Sequence, residues 1–453
     1  MNSKQKMVCV PVYQSTLREI RESFKVPIDE RLQDQGLLVP ATDYDMSRIP
    51  EHLRVIGVAR PGVAVHMPNV TDIVASPLQH DTDLGPEYAV FTKPANLSRS
   101  TDIKKRAPDA YFMGKQKYDL DKSSLSFIRK CSNLLQRLEK PLKLGIPEVL
   151  SFLEVINGIP GTNINGCNAK TSPGWPWVKL PGSGKMKVLQ KFPPELGECG
   201  DKTRLTLCDC EECYYRSISK RDASYLSEMP FVLMPKRFFR IRLDKCLAKV
   251  KKGIIPNWIY TTIPKDELRD AKVIDEMNKT RYILVSPFDQ YIIMTMYFGA
   301  WINDVKSQTP LGPNMVGTNM LGIDMQFAWQ HLNEVANIGF ICGDYKGFDI
   351  RLFRELRAGT GEVVRFRMAS CYGTELDALR KFLWESGMTI VAIHGNFVYV
   401  RTDGKASGDF VTAEENGENN KLMVFCSFMY LAHKNKLTTV ESIASWKTAV
   451  RGI

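Results

Sequence analysis

Asp344-Tyr345-Lys346-Gly347-Phe348-Asp349 is the stretch on which the fold turns. It follows an apolar run, Ile338-Gly339-Phe340-Ile341-Cys342-Gly343, that reads as a short buried strand, and it leads into residues 350–368, spaced as a helix. A lone Asp after a strand is ordinarily a helix cap or a turn former. Here a second carboxylate stands five residues on, beyond Gly347, so the chain can fold back and offer both groups to one ligand. Oxygen donors so arranged suit a divalent cation and a hydroxylated ligand.

Further along, Ser407-Gly408 opens a segment in which Thr412, Asn416 and Asn420 recur at i, i+4 and i+8, one face of a helix. The opposite face carries Leu422, Phe425 and Met429 for the core. Side chains of Ser, Thr and Asn both donate and accept, as reading a ribose hydroxyl requires. Taken alone, the same pattern is an N-cap followed by a solvated face. A third group, Lys265-Asp266-Glu267-Leu268-Arg269 with Lys279-Thr280-Arg281, places cations at several points where they could hold a triphosphate. Individually these are solvated charges, and Asp270 and Lys272 are read that way. The fourth, Thr171-Ser172-Pro173-Gly174-Trp175-Pro176-Trp177, sets hydroxyls, a flexible Gly and two Trp on a stiff loop. Such a loop could guide single-stranded nucleic acid, or it could be an aromatic turn packed on the core.

With 453 residues, 44% apolar and 25% charged, the chain has a globular composition with room for two to four lobes. Its net charge of +11 favours a polyanionic partner or an anionic membrane surface. The longest apolar stretch, around Tyr291 to Ile302, is too short to span a bilayer and reads as a buried helix. No apolar signal core follows the first residues, and eleven irregularly spaced cysteines suit a reducing compartment. Cys199, Cys208, Cys210 and Cys213 cluster, but overlapping spacings favour reduced loop thiols over a zinc site. Helices are expected over residues 17–24, 123–142, 147–156, 286–301, 350–368, 375–385 and 412–431. Residues 389–393 and 397–400 form an expected hairpin across His394-Gly395-Asn396. Residues 160–181 read as loop, 231–260 as strand-like and basic, and 267–277 as a short helix or ordered loop. Without a βαβ alternation, the class is α+β.

These groups, in this order, resemble the RNA-dependent RNA polymerases of picorna-like positive-strand RNA viruses, most nearly dicistrovirus-, iflavirus- or marnavirus-like members. The resemblance covers residues 55–453 and includes Pro313-Asn314-Met315-Val316-Gly317-Thr318-Asn319, which is similar to the family's segment ahead of its first aspartate motif. It implies a right-hand polymerase fold: 1–55 an N-terminal extension or linker, 56–297 fingers, 298–385 the first part of the palm, 386–405 a hairpin returning to the fingers, and 406–453 a second, truncated palm part. It implies template-directed RNA synthesis with Mg2+ or Mn2+. Asp344 and the Tyr345 main chain would bind metal. Asp349, Ser407, Thr412 and Asn416 would read the ribose, and Lys265, Arg269, Lys279 and Arg281 would hold the triphosphate. Thr171, Ser172 and Gly174 would meet template RNA. The implied partners are template and product RNA, ribonucleoside triphosphates, a protein primer and other viral replication proteins. The implied place is the host cytoplasm, at membrane-associated replication complexes, without a transmembrane segment of the chain's own.

The chain departs from the family where a Gly-Asp-Asp hairpin would follow the Asn-bearing helix. Ser445 to Ile453 resembles the approach to it. The expectation is a chain truncated before that motif, with the thumb absent and no synthesis by the fragment alone. Two other readings stand beside this one: a reverse transcriptase, disfavoured by Asp349 and Asn416, and a non-catalytic basic RNA-binding protein.

Overall fold

A computed structural model describes residues 120–142, 145–192, 232–272, 281–312, 314–333, 343–345, 347–368, 373–394 and 397–449. Ahead of these it describes positions 73 and 95 and the strands β1 (Leu38–Val39), β2 (Leu53–Ala59) and β3 (Thr92–Pro94). The helix expected at 17–24, the strand expected ahead of Gly343, the four-cysteine cluster and Lys279 lie outside the described residues.

The centre is one long helix, α4 (Phe288–Ser307), apolar on nearly every side and buried accordingly, with Ile292, Ile293, Phe298 and Trp301 fully enclosed. This is the helix expected from Ser286 onward, starting two residues later and ending six residues later than read, and it runs unbroken across the 297/298 boundary drawn between fingers and palm. On it pack α2 (Phe152–Asn157) and α3 (Arg237–Lys251). The start of α2 is set by a capping box: the Ser151 hydroxyl accepts from the Glu154 N–H (3.1 Å) and the Glu154 carboxylate accepts from the Ser151 N–H (2.7 Å). The expected helix at 147–156 therefore begins five residues late.

The main sheet has six strands in the order β1-β2-β10-β9-β6-β8, where β6 is Ile259–Pro264, β8 Tyr282–Val285, β9 Ile390–His394 and β10 Phe397–Arg401. The expected hairpin is β9–β10, and β9 pairs in parallel with β6 through Ile259↔Val391 and Thr261↔Ile393. Strands β1 and β2 pair onto this sheet, so residues 38–39 and 53–55 belong to it and not to a linker.

Helices α1 (Lys122–Leu138), α6 (Phe348–Arg351), α7 (Arg354–Arg367), α8 (Glu375–Ser386), α9 (Thr412–Lys434) and α10 (Thr439–Ala449) complete the part that matters for the site. Leu422, Phe425 and Met429 of α9 pack against Cys131 and Leu135 of α1 and against Leu352, Leu356 and Val363, as their spacing predicted. The helix expected at 350–368 is two, α6 and α7, broken at the extended residues Leu352 and Phe353.

Two expectations are corrected. The basic stretch at 231–260 is mostly helix, not strand: a short β5 (Val232–Pro235) is followed by α3. Phe239, Leu243, Cys246 and Val250 make a buried stripe at helical spacing, and the cations Lys245, Lys249, Lys251 and Lys252 fall on its exposed side. Of the short helix or ordered loop expected at 267–277, residues 268–270 form a strand, β7 (Leu268–Asp270), because their backbone pairs with β3, residues 271–272 are helical, and 273–277 lie outside the described residues. Ser445 to Ala449 lie on α10, so the approach to a hairpin expected there is helical in this segment.

The orientation of α3 has a direct check. Leu243→Ala is expected to lower stability by about 2–5 kcal/mol, whereas Lys245→Ala stays within about 0.5 kcal/mol. Urea unfolding of both variants measures this, and equal losses would contradict the helix.

Candidate active site

Asp349 sits on the single turn of α6, entered through Gly347 at φ 67° and ψ 47°, a left-handed conformation that glycine adopts without steric strain. Its placement is fixed from behind by the chain after β10. Lys405 N–H donates to the Asp349 carbonyl (2.7 Å), Gly404 N–H donates to the Leu352 carbonyl (2.8 Å), and Arg354 N–H donates to Asp403 Oδ1 (3.2 Å). Gly404 is at φ 75°, and a Cβ there would come within 2.7 Å of the Asp349 carbonyl oxygen. The close approach therefore depends on glycine.

The row on α9 meets the 344–349 stretch twice. Asn416 Nδ2 donates to Asp349 Oδ1 (2.6 Å), and the Tyr345 hydroxyl donates to Asn420 Oδ1 (2.9 Å). Asn416 Oδ1 is buried and has no hydrogen-bond partner among the described residues. Asp344 is exposed, and its side chain makes no ion pair among the described residues. Thr412 does not reach this pair. Its hydroxyl donates to the Ala406 carbonyl (2.8 Å) and lies 3.3 Å from the Asp409 carbonyl, closing the loop that carries exposed Ser407 at its tip. Asn314, from the segment ahead of the first aspartate motif, is buried against α9 and donates to the Glu414 carbonyl (3.3 Å). It fits because position 417 is glycine: a Cβ there would overlap Asn314 Nδ2.

Two distant loops converge on the turn between β8 and α4. Gly408 N–H donates to the Leu284 carbonyl (3.0 Å) and Ser286 N–H donates to the Gly408 carbonyl (3.2 Å). Two residues on, Phe288 N–H donates to the Pro173 carbonyl (3.0 Å), and a Cβ on Gly174 would strike the Ser286 carbonyl oxygen. Thr171 is held by Lys185, whose ammonium also donates to the Asn168 carbonyl (3.0 Å), and the Ser172 hydroxyl accepts from the Gly174 N–H (3.2 Å). Trp177 is buried and donates to Asp289 Oδ1 (3.3 Å), so of the two readings of this loop its aromatic end belongs to the core. Thr171 is exposed and Ser172 half-buried, whereas Pro173 and Gly174 are buried against the same turn that holds Gly408.

The basic group is farther off. Lys265 pairs with Glu267 (2.7 Å), which also lies 3.5 Å from Arg281, and Arg269 sits on β7 opposite Lys93. Arg281 precedes β8 while Val285, at its end, bridges to Gly408, which separates them by roughly 13 Å of extended chain. These cations do not touch the Asp349–Asn416 pair.

Beneath the pair lies a buried ionic network. Arg357, 2% exposed, donates from Nε to Glu415 Oε1 (2.6 Å) and from Nη1 to the Gly404 carbonyl (2.8 Å). The Lys405 ammonium lies 2.5 Å from Glu415 Oε2, 2.9 Å from Asp409 Oδ2 and 3.0 Å from the Phe410 carbonyl. Tyr260 donates to Asp409 Oδ1 (2.9 Å); burial first, then the Asp409 carboxylate, pushes its pKa well up, which keeps it a donor. Burial raises the Glu415 carboxyl, but Arg357 and Lys405 together outweigh it and hold it at about 2. Sequence reasoning passed over Arg357, Lys405, Asp409, Glu415 and Tyr260. The available signal was a run of acids, Glu414, Glu415 and Glu418, on the turns of α9 that also carry Asn416.

Comparison with known proteins bears on this arrangement. Residues 234–450 match the family model described as viral RNA-dependent RNA polymerase. Just under half of the chain is thus similar to that family. Relatives include the RNA1 polyprotein of Grapevine chrome mosaic virus, 25% identical over 61% of the chain and 11% of the relative. The RNA1 polyprotein of Red clover mottle virus is 22% identical over 84% of the chain and 19% of the relative. The replicase polyprotein of Acute bee paralysis virus is 22% identical over 91% and 20%. The chain thus spans a fifth or less of these three polyproteins. Among solved structures, a sicinivirus 3Dpol RNA-dependent RNA polymerase superposes with TM-score 0.56 at 20% identity, covering 82% of the chain and 66% of that polymerase. The chain thus shares the right-hand fold with mixed helices and sheets.

The network beneath the site gives a stability prediction. Glu415→Gln leaves Arg357 and Lys405 short of a buried counter-charge and is expected to cost about 3–5 kcal/mol. Because the folded carboxyl is held below its ordinary value of 4.5, its contribution is complete above that value and fades as pH falls toward 2. Unfolding measured from pH 7 down to 2 should show parent and variant converging; a constant gap would contradict the charge pairing.

Proposed function

We propose that the chain is the nucleotide-selecting part of a polymerase that copies RNA from an RNA template, with residues 56–297 serving as fingers and 298–385 and 406–453 as palm. The observation that carries this reading is the free acceptor of Asn416. Its amide nitrogen is committed to Asp349, so Oδ1 is left to accept from a hydroxyl, and the Asp349 carboxylate beside it accepts as well. A ribose 2′-hydroxyl can donate to that pair of acceptors; a deoxyribose would leave it unsatisfied. This also weighs against a reverse transcriptase.

Asp344 and the main-chain oxygen of Tyr345 are hard donors of the kind Mg2+ or Mn2+ takes, and the absence of an ion pair on Asp344 among the described residues fits that use. A divalent ion held there supplies charge neutralisation at the reacting phosphate. Among the described residues no group of three or more acid, Cys or His side chains is placed to hold a metal ion. Two-metal transfer takes a second acid brought beside Asp344. Thr171 and Ser172, exposed and half-buried, and Gly174 behind them would meet the template, and Lys265, Arg269, Lys279 and Arg281 the triphosphate as it enters. A protein primer and other replication proteins would complete the assembly. No helix among the described residues is long and apolar enough to cross a membrane.

The test uses polymerase translated from the full reading frame. Asp344→Ala should abolish nucleotide incorporation and leave RNA affinity unchanged. Retained synthesis would refute the metal role; RNA binding with no incorporation by the parent would favour a non-catalytic RNA-binding protein. Asp349→Ala should weaken the preference for ribonucleotides over deoxyribonucleotides, and an unchanged preference would remove Asp349 from the ribose site. Binding to single-stranded RNA should weaken with salt by about 0.7 counterion per neutralised phosphate.

A further inference from the structure

We propose that Lys405 is a positioning residue that sets the geometry of the ribose-reading pair from below, a role that rests on the function proposed above. Lys405 holds both partners of that pair. Through its backbone N–H it grips the Asp349 carbonyl at 2.7 Å. Through its ammonium it grips Glu415, at 2.5 Å, the residue immediately before Asn416 on α9. The Asp349–Asn416 hydrogen bond thus closes a ring in which Lys405 is the opposite corner.

The ammonium is fully engaged. It has three donors and three acceptors around it: Glu415 Oε2, Asp409 Oδ2 and the Phe410 carbonyl. Two of these lie in the loop that carries Ser407 and one on the first turn of α9, so the same cation fixes how the loop enters the helix. At 3% exposure Lys405 is out of reach of any substrate, so it acts through its neighbours. Asp409 is itself oriented by Tyr260, on β6 of the central sheet, which anchors the ring to the rigid part of the fold. A site that must tell one hydroxyl from none tolerates little looseness, and a misplacement of about 1 Å is costly.

The experiment compares incorporation of ribo- and 2′-deoxynucleotides by the full-reading-frame polymerase and its K405M, K405R, D409N and N416A variants, with thermal unfolding measured alongside. K405M is expected to lower ribose discrimination about 10-fold, through lost efficiency with ribonucleotides and little change with deoxynucleotides. K405R should restore part of it. D409N keeps an acceptor for Tyr260 and the Lys405–Glu415 pair but takes one acceptor and one counter-charge from the ammonium, so it should be the milder lesion and shift discrimination in the same direction by less. If K405M does not fold, D409N decides the matter. Equal losses with both sugars, or unchanged discrimination in K405M or in a folded D409N while N416A loses it, would overturn the positioning role. Unchanged discrimination in N416A would overturn the reading of the site itself, and this proposal with it.

Discussion

One hydrogen bond, from Asn416 to Asp349, joins segments 67 residues apart and gives the site its meaning. On one side stands the short turn after Gly347, on the other a helix of 23 residues. Neither element makes a site alone. The turn is too brief to hold a carboxylate in place without outside support, and that support comes from the Gly404 and Lys405 amides. The helix is fixed by its apolar face against α1 and α7, so Asn416 is a stiff reference point against which Asp349 is set.

Charged side chains form the floor of this site where apolar ones would be the simpler solution. Arg357, Glu415, Lys405 and Asp409 are all nearly out of contact with solvent. Burial of so many ions is stabilising only when each finds its partners, and such networks often contribute no more than well-packed hydrophobic residues would. Their advantage is directional. Ion pairs and hydrogen bonds to the Gly404 and Phe410 carbonyls fix the path of a loop that has little apolar material to pack. The same logic repeats along α9: Glu414 pairs with Lys306 and Glu418 with Arg367, which also reaches Asp304. One face of the helix is greased and another is ionic, and between them lies the row that meets the 344–349 stretch.

The sequence made some of this legible and hid the rest for physical reasons. Leu422, Phe425 and Met429 announced the buried face of α9, and Thr412, Asn416 and Asn420 announced its polar row, because helical spacing survives in both. The contact from Tyr345 to Asn420 follows from the same register, although its pairing could not be read. The stripe Phe239, Leu243, Cys246 and Val250 was obscured because cations interrupt it on every turn, so α3 passed for a basic strand. The place of β6 beside β9 was invisible: the pairing is parallel and spans some 130 residues, beyond any local pattern. The ionic floor was hidden most thoroughly, since a buried Arg or Lys inverts the rule by which cores are recognised.

The most direct measurement is a double-mutant cycle on Asp349 and Asn416, with discrimination between ribo- and 2′-deoxynucleotides as the observable. If the two side chains read the hydroxyl as one unit, D349A, N416A and the double variant should lose similar amounts, giving a coupling of about 1 kcal/mol or more. Losses that simply add would contradict the shared site at the centre of this structure.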